Sequence, residues 1–229
     1  MASSRIAVAV LALMFLAGTV FLTFPGLDPA VSRVFADLAE GKFPLAENEP
    51  FNLVRMAIWR ASIALFLLAT LGLCLALFLR QIGGIPARLW GFILLLYVAG
   101  PGILVEWGLK GHWGRARPAY VSEFGGPAEF TPFWQPTDQC LRNCSFVGGE
   151  SAGATVLAIS LWLVLGHFQS RLSAFWLLFG RLAILTLPVI AGFHRIAAGR
   201  HFLSDVIFSM LLVALLAIIL ARVLSVKSP

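Results

Sequence analysis

Apolar and polar positions along this chain are segregated into blocks rather than interleaved residue by residue. Six apolar runs, at roughly 5–24, 57–79, 89–109, 151–168, 173–193 and 205–221, are each about long enough to cross a bilayer core, which takes ~20 helical residues. The pattern predicts an all-α fold: a polytopic bundle of six transmembrane helices, forming a single domain over 1–229. The first run competes with a signal peptide. It is longer than a usual signal core and no small-residue cleavage site follows, so it reads as an anchor. Pro101-Gly102 predicts a kink in span three. Arg181 falls inside span five, so its side chain snorkels or the span starts later.

Between the spans the connections are short, except for one long polar loop, 110–149, rich in Gly, Pro and aromatic residues. A second feature follows span one. Asp28 suits a helix cap, Pro29 the first helical position and Gly41 a stop, while Val31, Val34, Phe35 and Leu38 make one apolar stripe. That predicts a short interfacial helix lying on the membrane or the bundle.

Composition agrees with the blocks. The chain is 59% hydrophobic and 12% charged, against about a quarter charged in soluble domains. The net charge of +6 is no nucleic-acid signature, because the basic residues lie among apolar spans rather than in a solvated stripe. It fits span orientation and an anionic substrate better. With both termini inside, the inner segments hold Arg5, Arg80, Arg88, Arg171, Arg181, Arg222 and Lys227, and no acid; all 11 Asp and Glu lie outside. Parity then brings the end of span three, the start of span four and the turn between spans five and six to one outer face. Cys74 lies in an apolar run. Cys140 and Cys144 suit a small disulfide in an oxidising compartment, and lack the ligand partners of a zinc site.

The chemistry-bearing residues fall in those three outer stretches. In 110–118 (KGHWGRARP), Lys110, Arg115 and Arg117 form a cationic patch whose forks match phosphate oxygens. In 145–153 (SFVGGESAG), Gly148 and Gly149 let backbone N–H groups approach an anion at a helix N-terminus, and Glu150 is a candidate proton donor. In 192–205 (GFHRIAAGRHFLSD), Arg195 adds an anion fork and His201 is the best nucleophile. Asp205, four residues on, shares a helical face with His201 and can orient its imidazole. Together these residues make a phosphoryl-transfer toolkit without obvious metal ligands. His167 sits at the inner end of span four. His112 and His194 are near enough to serve as alternative acids.

These motifs resemble those of the type-2 phosphatidic acid phosphatase superfamily of membrane lipid phosphatases. Lys110 and Arg117-Pro118 match its first motif, Lys-six residues-Arg-Pro. Arg195, His201 and Asp205 match its third, with His194 in place of a serine. Val147-Gly148-Gly149-Glu150 stands where the family has Pro-Ser-Gly-His. The resemblance implies a phosphohistidine on His201, support from Asp205, phosphate binding by Lys110, Arg117 and Arg195, no cofactor and no metal. Glu150 then stands where the family's acid stands. It also implies a phosphate- or pyrophosphate-bearing membrane lipid as substrate, cleaved at the outer face of a bacterial-type inner membrane. The altered middle motif leaves one alternative, a weakened member that binds or moves a phospholipid; a lipid-to-lipid phosphotransferase is another, since it shares the phosphohistidine and differs only in its acceptor.

Overall fold

The computed structural model describes residues 2–79 and 81–226, without the side chains of residues 2 and 3. Arg80 and Lys227, both counted on the inner side, lie outside the described residues. Among the described residues, seven helices longer than one or two turns of 3-10 geometry make up the fold: α1 (Ala2–Thr23), α2 (Leu27–Arg33), α3 (Glu49–Leu79), α4 (Ala87–His112), α5 (Gly149–His167), α6 (Ala174–Ala197) and α7 (Leu203–Val223). All but α2 are long and apolar enough to span a membrane.

Helix α5 is the centre of the bundle. Half of its apolar window is buried, against 11% for those of α1 and α6. Its sequence explains why: Ser151, Ala152, Ala154, Thr155, Ala158 and Ser160 are buried small residues that let neighbouring helices come close. It packs on α3, α4, α6 and α7, while α1 packs on α7. Helices α6 and α7 also approach tightly. A Cβ at Gly192 would lie 2.5 Å from the Val206 side chain, so glycine is what allows the α6–α7 turn to be so narrow.

Three departures from the hydropathy pattern shape one end of the bundle. Helix α3 begins at Glu49 rather than near 57, because Asn48 Oδ1 accepts the Phe51 N–H at 2.9 Å and Glu49 suits the first turn. Helix α4 widens to a π-helix over Val98–Leu109, around Pro101, before a final α-turn. Thirdly, α2 is shorter than the expected 28–41. Gly26 occupies its cap position and it ends at Arg33. The Asp28 side chain is not a cap but is buried in contacts across the bundle, and Val34 and Leu38 are exposed beyond the helix. Asp37 then takes the Ala39 and Glu40 N–H groups and bridges to Lys42, turning the chain where the stripe expected helix.

Arg181 lies well inside α6, which starts at Ala174; its guanidinium sits 5.0 Å from the Trp162 ring centre. Residues 113–148 form no long helix and fold as a cap over one end of the bundle. There Phe43, Ala116, Val121, Phe124 and Phe202 make a small core separate from that of the bundle. Cys140 and Cys144 form a disulfide in this cap, which excludes them as metal ligands. At the other end, a two-residue hairpin (Gln81–Ile82 with Ile85–Pro86) meets α5 where His167 Nε2 lies 2.8 Å from Gly84 O.

Candidate active site

The third-motif stretch is a helix end, a turn and a helix start. Gly199 makes the turn with φ +64°, and a Cβ there would run into the Phe43 ring. Arg200 and His201 both donate their N–H groups to Arg195 O, at 2.9 and 3.2 Å, which folds His201 back over the end of α6. Helix α7 starts only at Leu203, so His201 and Asp205 do not share a helical face as their spacing suggests. His201 Nδ1 lies 2.8 Å from Ser145 O and 3.8 Å from Asp205 Oδ2. The short contact is the hydrogen bond. Because a carbonyl only accepts, the proton sits on Nδ1 and Nε2 keeps its lone pair.

Asp205 therefore positions His201 through Ser145. Its Oδ2 accepts from Ser145 Oγ at 2.6 Å and from the Phe202 N–H at 2.8 Å; its Oδ1 accepts from Arg115 Nη1 at 2.5 Å. Burial lowers the pKa of His201 from its ordinary 6.5. Arg195 and Arg117 act in the same direction and Asp205 opposes them.

Arg115 is fully buried, and it does not line the cavity in which the other cations meet. Its guanidinium is used on Thr131 O, Ser204 Oγ, Asp205 and Asp28 Oδ2, the last at 2.8 Å, and stacks 4.3 Å from the Phe202 ring centre. The expected phosphate contact is replaced by a structural one. Asp28 completes this network. Its Oδ1 accepts the Ser204 N–H at 2.9 Å and its Oδ2 the Ser204 hydroxyl at 2.5 Å, capping α7 from a distant helix. Burial raises the pKa of Asp28, Arg115 lowers it and Asp205 raises it.

The cavity, about 800 Å³, has a charged end and an apolar wall. Lys110, Arg117, Arg195 and His201, all expected at the site, line the charged end together with Glu150 and Gly149. Gly148 lies behind it: its N–H donates to Asp205 O at 3.2 Å and its carbonyl accepts from Ser209 Oγ at 2.7 Å. Gly148 is therefore committed to the fold, and Gly149 is the glycine that lines the cavity. Lys110 Nζ donates to Glu106 Oε1 at 2.8 Å. Arg117 is held by Asn143, through Nη2 to Oδ1 at 2.6 Å and through Nε and Nη2 to its carbonyl. Arg195 Nε is buried with no partner among the described residues, and Nη1 lies 3.6 Å from Glu150 Oε1.

Glu150 is not placed as a free acid. Arg55 Nε and Nη2 donate to its two oxygens at 2.8–3.1 Å, so a proton on either oxygen would displace a hydrogen bond. The alternative histidines lie off the site. His112 is exposed, with Nδ1 2.8 Å from Gly108 O, and His194 is buried, stacked 4.1 Å from Phe51 and absent from the cavity lining. Among the described residues, no three His, Cys, Asp or Glu side chains cluster as metal ligands would.

Four participants escape a reading of motifs: Arg55, Arg200, Asn143 and Asp28. Arg200 sits inside the third motif and lines the cavity. Arg55 precedes the apolar run of span two and had a visible signal, an arginine at a membrane edge. Asp28 had one too, but it points equally to an ordinary cap.

A model of the PAP2 superfamily matches residues 90–228 of the chain. The chain is similar to the lipid A 4'-phosphatase of Rhizobium leguminosarum, 29% identical over 205 residues that cover 84% of each chain. It is also similar to the lipid A 4'-phosphatase of Rhizobium etli, 30% identical over 200 residues, covering 82% of this chain and 75% of that one. A third relative, the lipid A 4'-phosphatase of Francisella tularensis subsp. novicida, is 34% identical over 122 residues, about half of either chain. No solved structure matches the chain significantly.

Asp28→Ala strips Arg115 of one carboxylate and Ser204 of its cap. The variant should lose about 3–5 kcal/mol of stability, the usual effect of breaking a buried ion pair, read by thermal unfolding in detergent. Activity of the fraction that remains folded should fall with it, because Asp205 is then the sole carboxylate on Arg115 and the frame around it is disturbed.

Proposed function

The chain belongs to the PAP2 superfamily, and from that premise we propose that it is a membrane phosphatase that hydrolyses a phosphate ester of a lipid at the outer face, through a phosphohistidine on His201. The observation that carries the reading is the His201 imidazole with its Nδ1 tied to Ser145 O, set among Lys110, Arg117 and Arg195 in a cavity with an apolar wall. Met56, Trp59, Ile63 and Phe66 of α3, with Tyr97 and Pro101 of α4, continue that cavity beside the membrane-spanning helices. Such a wall suits acyl chains as the charged end suits a phosphate. The names of the relatives favour a phosphorylated glycolipid of the lipid A type as the substrate.

In the first step the His201 Nε2 lone pair attacks phosphorus and the bond to the lipid oxygen breaks. That oxygen leaves with the electron pair and takes up one proton. In the second step water attacks the phosphohistidine, the P–N bond breaks, inorganic phosphate departs and the water gives up one proton. Lys110, Arg117 and Arg195 carry the charge that builds on the phosphoryl oxygens. Asp205 holds the frame through Ser145, and no step calls for a metal.

Two features support an outer-face site. The end of α4, the start of α5 and the α6–α7 turn meet at one end of the bundle, and the disulfide lies in the same cap. At the opposite end Arg88 and Arg171 stand in connections without an acidic residue.

Purified protein should release phosphate from 4'-phosphorylated lipid A in EDTA, more readily than from phosphatidate or isoprenyl pyrophosphate. His201→Ala should abolish this release, and full activity in that variant would sink the mechanism. The neutral-histidine requirement places the acidic limb of kcat/KM below about pH 6.5, the unperturbed histidine value; a pH–rate profile reads it directly.

The alternative of a weakened member draws on Gly148, which offers neither a hydroxyl nor a free N–H. A Cβ there would lie 3.6 Å from the His201 ring and 3.1 Å from Ser151 Oγ, and φ −68°, ψ 108° suits any residue. Gly148→Ser should therefore fold. A gain in turnover of tenfold or more would favour the weakened reading, whereas the phosphatase reading expects little change.

A further inference from the structure

Arg55 enters the cavity from the polar extension of α3, outside every motif read from the sequence. Its Nε and Nη2 grip both oxygens of Glu150, and its Nη1 has no partner among the described residues. A guanidinium held along one edge by a carboxylate has its remaining N–H groups fixed in direction, since the fork is planar. Those groups belong to a side chain that lines the same cavity as Lys110, Arg117, Arg195 and His201.

Charge gives the pairing a purpose. A lone carboxylate at the start of α5 would repel a phosphate and neutralise the helix N-terminus that helps to bind one. Paired with Arg55, Glu150 contributes no net negative charge. Lys110 is matched in the same way by Glu106. Arg117 and Arg200 then remain without a carboxylate partner among the described residues, and Arg195 meets Glu150 only at 3.6 Å, beyond hydrogen-bond range, which leaves cationic charge for a phosphate and for the charge that develops in transfer.

Resting on the phosphatase reading above, we propose that Arg55 is a phosphate-binding residue of this site and Glu150 a positioning residue that aims it. In this arrangement the pair, rather than a protonated Glu150, occupies the place of the middle-motif histidine. Arg55 meets the bridging or non-bridging oxygens of the substrate's phosphate, and Glu150 holds it there without touching the reacting atoms.

The test uses the full chain in detergent, with a leaving-group series running from p-nitrophenyl phosphate to the phosphorylated lipid, and with orthovanadate as a phosphate-like inhibitor. Arg55→Ala, Arg55→Lys and Glu150→Gln should each lower kcat/KM at least tenfold and raise the vanadate inhibition constant by a similar factor, equally for good and poor leaving groups. The double variant Arg55→Ala/Glu150→Gln should be within about threefold of either single one, because residues acting as one unit are not additive. Arg55→Lys retains the charge but not the fork, and melting temperatures identify any variant that has simply unfolded. The proposal is overturned if Glu150→Gln harms only poor leaving groups and leaves vanadate inhibition unchanged, which is the signature of a proton donor. Additive single losses, or an Arg55→Ala protein that matches wild type, overturn it equally. If wild type releases no phosphate, or His201→Ala releases it normally, the parent reading fails instead. Vanadate protection against thermal unfolding would then still report whether Arg55 binds a phosphate-like anion.

Discussion

A guanidinium with no access to water needs anionic partners in fixed places, and Arg115 organises the capped end of this molecule by that requirement. It is 0% exposed and lies between Asp28 and Asp205. Those partners come from α2 and α7, while Arg115 itself comes from the cap. Three regions distant in sequence are thus tied at one point. Removing water from such a group has a large energetic penalty that only closely placed hydrogen bonds offset, so the geometry of the cluster is narrowly determined. Asp205 is held in it by three donors, Arg115, the Ser145 hydroxyl and the Phe202 N–H, with His201 Nδ1 farther off at 3.8 Å.

His201 inherits its position from this cluster. Ser145 is bonded to Asp205 through its hydroxyl and to His201 through its carbonyl. One residue therefore passes the rigidity of the ion cluster to the imidazole and selects its tautomer. Because the acceptor is a carbonyl, no proton can be handed beyond Nδ1. The carboxylate can stabilise a charged imidazole electrostatically at 3.8 Å, but it does not take its proton.

Around His201 the charges are arranged in two layers. Lys110 and Arg55 are each matched by a carboxylate that also faces the cavity, while Arg117 is held by the neutral Asn143. The first kind of pairing holds a cation in place with little net charge; the second leaves the charge uncompensated. Charges arranged this way limit the repulsion among the cations gathered in one cavity. The apolar wall along α3 and α4 begins directly beside these charges, so one cavity offers both a head-group and a hydrocarbon environment.

Hydropathy and motif spacing alone determined much of this. The six spans, their parity and the gathering of Lys110, Arg117, Arg195, Glu150 and His201 at one end are legible because membrane crossing is a one-dimensional constraint: a run of apolar residues either is long enough or is not. Helix ends were less legible, as with α3, whose polar first turns are stabilised by Asn48 and carry no hydropathy signal. The pairings could not be read at all. Arg55 meets Glu150 across 95 residues, Asp28 meets Arg115 across 87 and Ser204 across 176. For this reason Arg115 looked like a phosphate ligand, Asp28 like a cap, Gly148 like an anion cradle and Asp205 like a direct partner of His201. Residue type states which bonds a side chain is able to make. Which of them it makes is decided by burial and by the neighbour that arrives from elsewhere in the chain, and only the packed bundle specifies both.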